Sequence, residues 1–120
     1  MPYLADRVKD VTSTTGTGAI TLAGSPPSGF RTFATAFGTT SSVVNYCISS
    51  AGTEWEVGKG TFNGTTGLTR DLVRASSNSN NLVNFSAGTK NVTCVAPAEL
   101  LDNANHGMLC AISAGLNILM

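Results

Sequence analysis

Turn signals recur about every eight to twelve residues along this chain, and no other feature limits its possible folds so tightly. Gly16-Thr17-Gly18, Gly24-Ser25-Pro26-Pro27-Ser28-Gly29, Ala51-Gly52-Thr53, Asn63-Gly64-Thr65-Thr66-Gly67 and Ala87-Gly88-Thr89 cut the sequence into runs too short for ordinary helices. The runs between them are rich in β-branched and aromatic residues. That favours strands over residues 7–15, 19–22, 30–37, 43–49, 54–57, 68–75, 82–85 and 91–96. Pro26 and Pro27 lack the N–H groups a ladder needs, and Pro97 closes the last run. The cadence predicts an all-β fold, a small antiparallel sandwich or barrel with short Gly/Thr-rich turns.

The pattern is clearest at residues 43–49, where Val44, Tyr46 and Ile48 share one face and Val43, Asn45 and Cys47 the other. A turn at Ala51-Gly52-Thr53 then makes a hairpin with residues 54–57. Taken alone, that second run points Trp55 and Val57 into the core and Glu54 and Glu56 to water. Gly58 and Gly60 predict a bulge where the strand bends. Phe33 is the core residue of its run, and Ser76-Ser77-Asn78-Ser79-Asn80-Asn81 is a polar loop.

Composition excludes several classes. A chain of 120 residues has room for one compact domain, and 12% charged residues is about half the usual share. A coiled coil would need far more Glu and Lys, a disordered chain less apolar material, and a nucleic-acid binder a basic excess. The net charge here is +0. A neutral surface offers little electrostatic protection against association, so self-association is the expected condition. The start of the chain lacks a basic region followed by an apolar one, and the longest uncharged apolar run, Gly107 to Met120, is shorter than the ~20 residues that span a bilayer. Neither export by a signal peptide nor membrane insertion is expected.

Reactive chemistry is sparse. Cys47, Cys94 and Cys110 form no Cys-x-x-Cys pair, and the single histidine, His106, stands alone; no metal site and no cofactor are expected. Buried thiols are the simplest role for the cysteines, although a Cys47–Cys94 disulfide is conceivable. Gly52 to Gly60 mimics a phosphate-binding loop, but the spacing is wrong and two glutamates would repel phosphate. Glu54 and Glu56 form no catalytic pair on a solvated face, and no enzyme is expected. A carbohydrate-binding module is a further alternative, but it would need more exposed aromatics than 7% of residues supplies.

Two segments are expected, a β domain over residues 1–99 and an apolar stretch over 100–120. Residues 108–120 carry no charge. They dock either on the chain's own core or, as an arm, on a neighbouring subunit. Tyr3 and Leu4 at one end, with Leu109, Ile112, Leu116, Ile118 and Leu119 at the other, are the expected partner contacts.

The motif order resembles a small β module of tailed-bacteriophage virions. The segments that carry the likeness are Ala5-Asp6-Arg7-Val8-Lys9, Thr12 through Gly24, Trp55-Glu56-Val57-Gly58-Lys59-Gly60-Thr61, Leu68-Thr69-Arg70-Asp71, Ala75-Ser76-Ser77-Asn78-Ser79 and Val83 through Lys90. The resemblance covers residues 5–99 and implies a structural role without catalysis. It implies a tail-associated subunit that attaches or joins tail proteins, or alternatively a capsid decoration protein. Implied partners are copies of the chain itself and other virion proteins, tail or major capsid, with no nucleic acid and no membrane. The implied location is the virion, assembled in the bacterial host cytoplasm.

Overall fold

A computed structural model describes residues 4–95. They form β1 (Lys9–Thr12), β2 (Ile20–Thr21), helix α1 (Phe33–Phe37), β3 (Ser42–Ser50), β4 (Trp55–Phe62), β5 (Gly67–Leu68), β6 (Leu72–Ser76) and β7 (Lys90–Cys94). The strands make one antiparallel sheet in the order β1-β7-β3-β4-β5-β2, with β6 also paired to β4. The two ends of that order meet. Ala23 N–H donates to the Val11 carbonyl at 2.9 Å, and the Thr12 hydroxyl donates to the Thr21 carbonyl at 2.7 Å. The sheet is thereby nearly closed into a small barrel, and closure protects strand edges that would otherwise invite pairing with other chains.

The β3–β4 hairpin is the backbone of the barrel. Val44, Tyr46 and Ile48 are fully buried, as the alternation in β3 predicts. On β4 the glycines serve packing. A Cβ at Gly58 would strike the Leu72 carbonyl and the Tyr46 ring, and one at Gly60 would strike the Thr69 carbonyl. Only a residue without a side chain lets the 69–72 backbone pass this close. The expected bulge is present: the β4–β6 register shifts between Val57 and Gly58.

Three expectations on local structure change. Residues 30–37 are not a strand, because 33–37 turn into a short helix. Thr32 caps it by accepting from Thr35 N–H at 3.1 Å, Gly38 ends it at φ 93°, and Phe33 and Phe37 fall on one face at helical spacing. Phe33 is a core residue as expected, packing on Phe62 with ring centroids 5.8 Å apart. Residues 82–85 make no strand either; only Phe85 bridges, exchanging backbone hydrogen bonds with Gly16. The run 68–75 is split between β5 and β6 at residues 69–71.

The largest correction concerns β4. Trp55 is 40% exposed and Glu56 is 0% exposed, the reverse of the expected facing. The hairpin register sets Glu56 opposite buried Ile48 and Trp55 opposite Ser49, so the carboxylate takes the inward position. The same ladder decides the cysteine question. Cys94 lies opposite inward-facing Tyr46 and Cys47 opposite Thr93, so the two thiols project to opposite faces and do not bridge to each other.

Candidate functional site

The inward Glu56 is the centre of the most organised polar group among the described residues. Arg70, from the stretch between β5 and β6, forms a bidentate pair with it. Nε lies 2.8 Å from Oε2 and Nη2 2.5 Å from Oε1, with the two side chains 2% and 0% exposed. The remaining guanidinium donors go to backbone carbonyls, Nη2 to Val83 at 2.6 Å and Nη1 to Gly16 at 3.1 Å and Gly18 at 3.3 Å. All five donors of the planar fork are thus directed at fixed acceptors. Glu56 is equally well served: Tyr46 Oη donates to Oε2 at 2.7 Å and Val83 N–H to Oε1 at 2.9 Å. The Arg70 guanidinium also lies 5.1 Å from the Phe85 ring centroid.

These contacts set the protonation states. Burial, the largest single influence, pushes the Glu56 carboxyl up. The bonds from Arg70, Val83 and Tyr46, with the Arg70 charge, outweigh it and hold the carboxyl below its ordinary value. Burial, and then the adjacent Glu56 carboxylate, drives the Tyr46 phenol above the usual tyrosine range. For Arg70, burial, the largest single influence, pulls down, but the bond to Glu56, its charge and the nearby Tyr46 together outweigh it, and the cation is retained. The result is an ionised pair and a neutral phenol whose partners all come from the chain itself. Chemically, this arrangement holds remote segments in place and offers no group to a substrate.

Two other polar groups extend this interior. Asp10 accepts from Val11 N–H at 2.8 Å and Gly24 N–H at 2.9 Å, and Lys90, 1% exposed, donates to the Thr14 carbonyl at 2.8 Å. At the rim, Glu54 is tied to Ser86 N–H and Oγ, both at 2.9 Å, and these bonds hold its carboxyl below the ordinary value. A basic corner surrounds Phe30, where Arg7 and Lys9 stand 4.1 Å and 5.0 Å from the ring centroid. Its arginines are engaged internally, Arg7 with the Gly29 carbonyl and Arg31 with that of Asp6.

Of the expected partner contacts, Leu4 is 40% exposed and shares a shallow depression with Ala5, Asp6, Cys94 and Val95. Both ends of the described chain therefore leave from one place. Tyr3, Leu109, Ile112, Leu116, Ile118 and Leu119 lie outside the described residues, as do His106 and Cys110. The Gly52 to Gly60 segment enters strand β4 at Trp55 and precedes no helix, unlike a phosphate loop. Among the described residues no helix is long and apolar enough to cross a membrane.

Sequence reasoning missed Glu56, Arg70 and the Tyr46 hydroxyl as one unit. A signal was available, since extending the inward parity of β3 across the hairpin places a carboxylate inside, and a buried carboxylate demands a cation. Compared with family models, curated proteins and solved structures, the chain matches none.

Proposed function

We propose that this chain is a non-enzymatic structural subunit of a tailed-bacteriophage virion, tail-associated, attaching or joining other tail proteins through oligomeric β packing. The observation that carries the reading is where the motif segments meet. Glu56 belongs to Trp55-Glu56-Val57-Gly58-Lys59-Gly60-Thr61, Arg70 to Leu68-Thr69-Arg70-Asp71, Gly16 and Gly18 to the Thr12–Gly24 string, and Val83 to the last one. Arg70 bonds to residues of all three others. Strings that are each a weak Gly/Thr-rich signal thus share one buried fastening, which supports reading them together as the signature of a module.

In this reading the titratable interior groups stabilise the barrel and the surface performs the function. Weak contacts repeated by symmetry become durable attachment. Leu4 and Tyr3, with Leu109, Ile112, Leu116, Ile118 and Leu119, are the proposed contacts, to copies of the chain and to other virion proteins.

Quantitative mass spectrometry and antibody labelling of intact particles test this. A small copy number, a multiple of the tail symmetry at one vertex, is expected. Hundreds of copies over the head would replace the tail role by capsid decoration, and absence from purified particles would overturn the virion reading.

A further inference from the structure

We propose that the basic corner around Phe30 receives side-chain carboxylates of a partner protein. Residues 29–31 run beside the start of β1. Arg31 N–H donates to the Arg7 carbonyl at 2.7 Å, and Lys9 N–H to the Arg31 carbonyl at 3.1 Å. This pairing gathers Arg7, Lys9 and Arg31, three of the chain's 7 lysines and arginines, in one small area. Both arginines are fixed in the same way. Arg7 sets Nε 3.2 Å and Nη2 2.9 Å from the Gly29 carbonyl, and Arg31 sets Nε 3.0 Å and Nη2 2.6 Å from that of Asp6. Each carbonyl occupies one edge of a guanidinium and leaves the Nη1 end without an acceptor among the described residues. That end is a fork that can donate two parallel bonds to a carboxylate, and here it is held in place before any partner arrives.

No carboxylate among the described residues pairs with these cations; Glu56 and Arg70 form the ion pair found there. Lys9 Nζ has no hydrogen-bond acceptor among them. It stands 5.0 Å, and the Arg7 guanidinium 4.1 Å, from the centroid of one ring. The two charges are thus closer than a Debye length of about 10 Å, and an anion would relieve their repulsion. Arg7 also holds φ 61°, a left-handed conformation unfavourable for a residue with a side chain. A second copy of this chain is a poor source of the anion. Glu54 is engaged by Ser86, Asp71 by Thr61 and Asp10 by backbone amides. Asp6 belongs to the corner itself, so corner against corner would oppose three cations to three. A nucleic acid would ask for a longer basic track, on a chain whose net charge is not +0. The occupant is therefore an acidic surface of a different protein. That partner belongs to the assembly proposed above, so the inference rests on that reading.

A fluorescein-labelled hexaglutamate peptide, titrated by anisotropy into the full-length chain at low salt, is the probe. Saturable binding is expected, with shifts of the Arg7 and Arg31 side-chain Nε resonances and of the amides of residues 6–9 and 29–31. Lys9→Gln removes no hydrogen bond seen among the described residues and should weaken binding about threefold. Lys59→Gln, the same loss of charge on β4, should leave it unchanged. No saturable binding, or equal losses from the two variants, would overturn the proposal. So would tighter binding by Glu99→Gln/Asp102→Asn, which would show the corner already taken by its own chain. A short single-stranded DNA that bound more tightly than the peptide would replace the protein partner by a nucleic acid. Failed peptide binding removes this contact alone, whereas absence from purified particles removes the reading of function.

Discussion

Arg70 reaches the Glu56 carboxylate, Val83 and two glycine carbonyls from a stretch that belongs to no strand, and this makes it the residue on which most of the interior polar order depends. Removing one member of a buried pair strands the other, at about 3–5 kcal/mol. Arg70→Met is therefore expected to lower stability by that order in urea denaturation. The double variant Glu56→Met/Arg70→Met should recover part of the loss, because no bare charge remains inside. A double variant no better than Arg70→Met would show that the backbone carbonyls at Gly16, Gly18 and Val83 are what the guanidinium chiefly serves. At this scale the sequence was legible where neighbours in the chain decide, as for Val44, Tyr46 and Ile48. It misled at Trp55 and Glu56, where hydropathy favours the indole inside and a cation 14 positions away reverses the outcome.

Among elements, the hairpin and β7 could be read from alternation and turn chemistry, since both are local. Helix α1 could not, because Phe33 and Phe37 suit a strand as well as a helix. The deciding features are the Thr32 cap and the glycine at 38, with Phe62 supplying the packing surface. Thr32→Ala should cost about 1 kcal/mol through the lost cap. Phe33→Ala should cost about 3–5 kcal/mol through the cavity it leaves. Thermal denaturation of the pair separates cap from core: similar losses would mean that α1 contributes little to the core. Gly60 is the corresponding point in β4. Gly60→Ala should be destabilising because its methyl meets the Thr69 backbone and not a side chain that can turn away.

For the whole molecule, the coupled groups set a pH window. Glu56, with its carboxyl held low, adds stability that is present above the ordinary carboxylate range and is lost as pH falls through it; Glu54, held low by Ser86, acts on the same limb. Tyr46, with its phenol held high, adds stability that is present below the ordinary tyrosine value of about 10 and is lost as pH rises past it. Denaturation midpoints against pH should show both limbs. Glu56→Gln should flatten the acid limb and Tyr46→Phe the alkaline one, while an unaltered profile in either variant would remove that residue from the account. The cadence of glycine, threonine and asparagine was enough, by itself, to determine an all-β fold with short strands, since turn chemistry and strand propensity act over a few residues. Which side of β4 faces inward, which residues pair across the interior, and where the sheet closes on itself were decided only in three dimensions. Those outcomes depend on register and on burial of charge, and both are set by contacts between segments far apart in the chain.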